Sequence, residues 1–87
     1  MILDLILEQQ QQDARRIVSI TDNGSGLPLV TTAYPFAVDT SVTITGNSVA
    51  GYNTTDSDVS QVSPTSFTMN SGSFTSNGYG GEISSAT

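Results

Sequence analysis

The stretch VTTAYPFAVDTSVTITG, Val30–Gly46, decides how the rest of the chain is read. A β-branched run closes at Thr32, a second run spans Ser41 to Thr45, and eight residues between them make a corner. In the second run Val42 and Ile44 alternate with three hydroxyl residues, the period of two that marks a half-buried strand. Pro35 fixes one backbone angle of the corner, and Phe36 is predicted to plug the core beneath it. Nothing in the stretch carries reactive chemistry, so it reads as a bare piece of sheet.

Working outward, further strands can be placed. Ile17 to Thr21 is β-branched, with Val18 and Ile20 expected on one face. DNGSG, Asp22–Gly26, is turn chemistry, because Asp, Asn and Gly tolerate left-handed backbone. Leu27 to Thr32 returns as the hairpin partner, and Pro28, which cannot donate to a ladder, belongs at an edge or strand start. Gly46 to Thr55 reads as a long turn. In Asp58 to Ser63 the apolar residues Val59 and Val62 lie three apart, and a β-bulge between them would return both to the core. Phe67 and Met69 alternate, NSGSFTSNGYGG is glycine-rich, and Glu82 to Ser85 is a last short strand. The expected fold is all-β: a small antiparallel six-stranded barrel or sandwich over residues 17–87, preceded by a short helical or extended arm over residues 1–16.

The arm is set apart by composition. MILDLILEQQQQDARR has no Gly, Pro or Thr, whereas everything after it is rich in Thr, Ser, Gly, Asn and Val. Ile2, Leu5 and Ile6 share a face at helical spacing, with Leu3 and Leu7 beside them, and the apolar stripe then stops. An apolar tip on a polar stalk suits an arm that docks on a neighbouring chain; the alternative is a terminus packed on its own domain.

Composition narrows the function. A chain of 87 residues is one domain with at most a short appendage, and it buries only roughly 60% of its unfolded surface, so its core is small. It has no cysteine and no histidine, which removes disulfides, thiolate chemistry and ordinary zinc sites and leaves oligomerisation or docking as the remaining support. Eight carboxylates against two arginines give a net charge of −6. The adjacent Arg15 and Arg16 do not make the basic stripe that nucleic acid or an anionic membrane would need. No apolar run is long enough to span a membrane, and MILDLIL is too short and too acidic for a secretory signal.

The order of residues from Ile17 to about Ile83 resembles the small β-barrel modules related to the first-catalytic-cysteine-half-domain of ubiquitin-activating enzymes (FCCH-like), which recur in bacteriophage tail and virion proteins. The residues that carry the resemblance are VTTAYPF, VDTSVTITG, GYN at Gly51–Asn53, VSQVSPTSFTM at Val59–Met69, and a closing GYGG. Tyr34-Pro35 stands where such modules have histidine-glycine, and Thr54 replaces a glycine; both departures fall in turns. The resemblance covers about three quarters of the chain and leaves out residues 1–16. It implies a module that contributes surface, with no catalytic cysteine.

Candidate sites are few. Without His, Cys or Lys no ordinary general base or amine nucleophile exists, so the chain is not expected to be an enzyme and no cofactor is implied. Asp56 and Asp58 would share a face if both lay in a strand, and they or Asp22, Asn23 and Ser25 could offer oxygens to calcium. Neither run matches a complete calcium loop, and a solvated turn explains each. Asn53-Thr54-Thr55 is formally a glycosylation sequon in a threonine-rich chain without an export signal. Phe36 and Phe67 suit the core, whereas Tyr34, Tyr52 and Tyr79 lie in turns and could serve as loop contacts.

The resemblance, the acidic surface and a short chain starting at Met1 together imply a stand-alone bacteriophage structural protein. The expectation is a capsid decoration (cement) protein, assembled in the host cytoplasm and resident on the virion. It would dock through Ile2, Leu3, Leu5, Ile6 and Leu7 on the major capsid protein or a sister subunit, as a homo-oligomer on the particle. The alternatives are a tail, baseplate or fibre component, with a tail protein as partner, or a free-standing carbohydrate-binding adhesion domain.

Overall fold

The computed structural model describes residues 15–38 and 41–86. Eight strands form two antiparallel sheets: β1 (Ile17–Asp22), β2 (Pro28–Thr32), β3 (Ser41–Thr45), β4 (Thr55–Asp56), β5 (Val59–Ser63), β6 (Ser66–Met69), β7 (Gly78–Tyr79) and β8 (Glu82–Ala86). The five-stranded sheet has the order β5-β6-β2-β1-β7 and the three-stranded sheet the order β4-β3-β8. There is no α-helix among the described residues, only a 3-10 turn at Ala50–Tyr52.

One core lies between the sheets. Ile20, Val30, Phe67 and Met69 come from the larger sheet and Val42, Ile44 and Ile83 from the smaller, all buried in one cluster. The register explains the selection. Ile20 opposes Val30, Val30 opposes Phe67, and Ile44 opposes Ile83, so these paired positions of β1, β2, β6, β3 and β8 face inward together. Phe67 is the central plug, while Phe36 is partly buried and packs against the cluster from the corner.

The sheets do not close into a barrel. The chain passes from β4 to β5 in two residues, yet β4 pairs only with β3 and β5 only with β6. Because β4 and β7 are two residues long, neither carries a ladder from one sheet to the other. The sheets are joined instead at a corner before β1. There Arg16 bridges Glu82, Ile83 N–H donates to the Arg15 carbonyl (2.8 Å), and Ile17 N–H donates to the Gly81 carbonyl (3.0 Å).

Eight strands stand where six were expected, because β4 and β7 are too short to show in the residue pattern, and two β-bulges also differ from the expectation. The register of β5 does shift between Gln61 and Ser63, but Val62 points outward and is 60% exposed. As an outer strand of its sheet, β5 pairs only with β6. A second shift lies in β1 between Ile17 and Ser19; it turns Val18 outward and buries Ile17 and Ile20, three residues apart. Pro28 is the first residue of β2, where its missing N–H costs no ladder bond.

Candidate functional surface

The polar residues singled out by the sequence are mostly occupied in holding turns. In the β1–β2 hairpin, Asp22 Oδ1 accepts the N–H groups of Gly24 and Gly26, both at 2.9 Å. Asn23 Oδ1 accepts those of Ser25 (2.7 Å) and Leu27 (3.2 Å). Gly24 and Gly26 have positive φ, so the turn is built from side-chain mimicry of backbone and two glycines. This accounts for the DNGSG run without a cation.

Asp56 and Asp58 do not share a face. β4 ends at Asp56, whose carboxylate is buried and accepts Asp58 N–H at Oδ1 (2.8 Å) and Ser71 N–H at Oδ2 (3.1 Å). Asp58 is exposed, and its Oδ1 lies 3.4 Å from the Asn70 side-chain amide. Asp56 thereby ties the β4–β5 connection to the turn after β6. Among the described residues no three His, Cys, Asp or Glu side chains converge as metal ligands.

Asn53 likewise has a local job. Its side-chain Oδ1 accepts Asn47 N–H (2.7 Å) and its Nδ2 donates to the Asn47 carbonyl (3.1 Å). Asn47, itself buried, donates to the Gly80 carbonyl (2.9 Å) and accepts Val49 N–H (3.0 Å). The pair converts the region after β3 from a loose turn into a bracket against the Gly80–Gly81 strand entry.

The three tyrosines separate. Tyr52 is not a loop contact: the 3-10 turn carries its ring into the core, leaving it 3% exposed. Its hydroxyl donates to the Ser76 carbonyl (2.6 Å) and accepts the N–H groups of Thr75 (3.1 Å) and Ser76 (3.3 Å). Burial pushes this phenol up, but the hydrogen bonds from Thr75 and Ser76 outweigh it and hold its pKa below the ordinary 10.0. Tyr34, in the corner after β2, and Tyr79, in the outer strand β7, are 50% and 58% exposed.

One concavity has no counterpart in the sequence reading. A groove of about 600 Å³ is lined by Pro35, Phe36, Ala37, Gln61, Ser63 and Pro64, with the exposed Tyr34 and Val62 next to it in the chain. It forms because the corner after β2 is laid along β5. Gln61 is the clamp: its Oε1 accepts Val38 N–H (2.9 Å), and its Nε2 donates to the Phe36 (3.1 Å), Ser63 (2.6 Å) and Ser66 (3.2 Å) carbonyls. Phe36 N–H adds a bond to the Pro64 carbonyl (2.9 Å). A glutamine inside an otherwise Val/Ser strand is the one sequence signal that pointed here. The lining is uncharged and offers a shape for apolar groups rather than a reacting centre.

The arm residues Ile2, Leu3, Leu5, Ile6 and Leu7 lie outside the described residues. What the structure does give is the arm's point of departure, since Arg15 and Arg16 are already paired with β8. Fold and surface together define a small two-sheet β domain whose polar residues brace its loops. Comparison with protein families, with curated proteins and with solved structures finds no match to the chain.

Proposed function

We propose that this chain is a structural protein of a bacteriophage particle, a capsid decoration (cement) protein that docks through Met1–Leu7 and holds its β domain outward. The observation that supports this most is how the domain uses its polar residues. Asp22, Asn23, Asn47, Asn53, Asp56 and Gln61 brace backbone, and the result is a small braced body with a hydroxyl-rich exterior. The resemblance of Ile17–Ile83 to FCCH-like modules supplies the virion context. An apolar tip seven residues long is the natural anchor for such a body.

The test is to purify the particles, separate heads from tails, and count copies of this chain on each by quantitative mass spectrometry. Many copies on heads, lost in the full-length variant carrying Leu5→Asp and Ile6→Asp, are the expected result. Copies confined to tails, or full occupancy by the variant, would overturn it. The exposed rings of Tyr34 and Tyr79 favour a second reading, a tail or fibre component or a glycan-binding adhesion module. Binding of the isolated chain to host glycans, abolished by Tyr34→Ala or Tyr79→Ala, would establish that reading instead.

A further inference from the structure

We propose that the Phe36 groove of one copy receives the apolar Met1–Leu7 segment of a second copy. This rests on reading that segment as a docking device, and it adds where the device docks. The groove and the segment suit each other in chemistry. Pro35, Phe36, Ala37 and Pro64 present apolar surface with no charged group in the lining. Val62, 60% exposed, stands in the chain between the lining residues Gln61 and Ser63. The segment offers five aliphatic side chains within seven residues, far more than any other part of the sequence outside the described strands.

The second copy, rather than the same chain, is favoured by where the arm sets out. The Arg16 carbonyl accepts Ala33 N–H (3.2 Å), so the arm leaves at the same end of the five-stranded sheet as the corner that builds the groove. At Arg15, however, the chain is bonded to Ile83 of β8, in the other sheet. β5 lies three strand positions away from β1 in the order β5-β6-β2-β1, roughly 14 Å at the usual spacing. The stalk Glu8–Ala14 spans at most roughly 25 Å, long enough to carry the apolar tip to the groove of an adjacent copy. Such an exchange also covers the apolar surface at the β5 edge.

The absence of cysteine makes the test clean, because any disulfide must come from the introduced residues. Leu5→Cys protein is mixed in equal amounts with Val62→Cys protein and oxidised mildly. The control mixture pairs Leu5→Cys with Ser25→Cys, which lies exposed in the β1–β2 turn at the far end of the sheet. Mixed dimers from Leu5 and Val62 are expected to accumulate at least about tenfold faster than in the control, reflecting local concentration at the groove. Adding Ala37→Glu, an exposed change in the lining, should remove that excess while leaving the unfolding midpoint unchanged. Equal rates in the two mixtures would overturn the proposal. So would a Leu5→Cys/Val62→Cys double variant that closes only within one chain. If cross-linking fails while Leu5→Asp/Ile6→Asp still strips the chain from heads, the groove assignment falls and the decoration reading stands.

Discussion

Replacing Tyr52 with phenylalanine removes a single oxygen from the core and isolates what that oxygen does. The ring keeps its place, so burial of the aromatic surface is nearly unchanged. Three hydrogen bonds disappear: the donation to the Ser76 carbonyl at 2.6 Å and the two acceptances from Thr75 and Ser76 N–H. A hydrogen bond contributes about 0.5–1.5 kcal/mol net, and three sharing one oxygen are not additive. Thr75 and Ser76 are exposed, so their freed backbone groups regain water and soften the loss. The expected cost of Tyr52→Phe is therefore about 1–3 kcal/mol. Against a total stability of about 4–13 kcal/mol for a chain this size, that is a large fraction. It should lower the melting temperature by roughly 5–20 °C. Urea unfolding followed by circular dichroism measures it, with Tyr79→Phe as a control because that ring is 58% exposed. The control should stay within about 0.5 kcal/mol of the parent. Amide exchange at Thr75 and Ser76 should accelerate in the variant while Val30 and Phe67 stay protected relative to the global stability. A Tyr52→Phe midpoint indistinguishable from that of Tyr79→Phe would refute the reasoning.

Five further substitutions, at four positions, test the bracing of the loops. At Gly81, φ is +95° and an added Cβ would lie 2.6 Å from the Thr45 carbonyl oxygen and 2.8 Å from Asn47 N, so Gly81→Ala should cost at least about 3 kcal/mol in urea unfolding. Gly24→Ala, with φ of +100° but open space around it, should cost only about 1–2 kcal/mol, and a reversed ranking would contradict the packing. Asp56→Ala removes the buried carboxylate that accepts the Asp58 and Ser71 N–H groups and should cost about 2–4 kcal/mol by the same assay, with exchange at Ser71 N–H accelerated. Gln61→Ala should cost about 1 kcal/mol, because the clamp is exposed to water. Gln61→Glu should be worse than Gln61→Ala despite its matching shape, since its second oxygen would face the Phe36, Ser63 and Ser66 carbonyls; an unfolding midpoint for Gln61→Glu at or above that of Gln61→Ala would contradict this.

Strands with strict alternation were legible because the period of two is itself the packing rule. Ser41–Thr45 was read with the bounds it has, and Phe67 with Met69 likewise marks β6. Two strands were not legible, since β4 and β7 are too short to show a period. Their pairing is dictated by distant partners, Asp56 opposite Val42 and Tyr79 opposite Ser19. Those two short strands also decide against a closed barrel, and residue patterning is the same for a barrel and for two facing sheets. The bulge logic was sound but ambiguous in place. A spacing of three can be rescued wherever neighbours exist on both sides, as for Ile17 and Ile20 in β1 between β2 and β7. At β5, on the sheet edge, the same spacing leaves Val62 outside.

The functional surface was less legible than the fold, for a related reason. Turn residues such as Asp22 and Asn23 act within four positions of themselves, so their roles can be read locally. Tyr52 acts over 23 and 24 positions and Gln61 over 23 and 25, and nothing in the neighbouring residues announces either partner. The groove is a product of that second kind of contact: it exists only when the corner after β2 is fastened to β5. Val62 is the informative residue here. A valine placed on an outer strand, turned away from the core by a bulge and left 60% exposed beside a phenylalanine–proline groove, makes little contribution to the domain's own stability. Its substitution by serine should therefore leave the unfolding midpoint within about 0.5 kcal/mol of the parent, as for an ordinary surface position. If the arm of a second copy seats there, the same change should lower the concentration-dependent self-association of the full chain measured by sedimentation. Loss of stability without loss of association would mean that Val62 supports the fold from outside, and the groove would then have no claim on the arm.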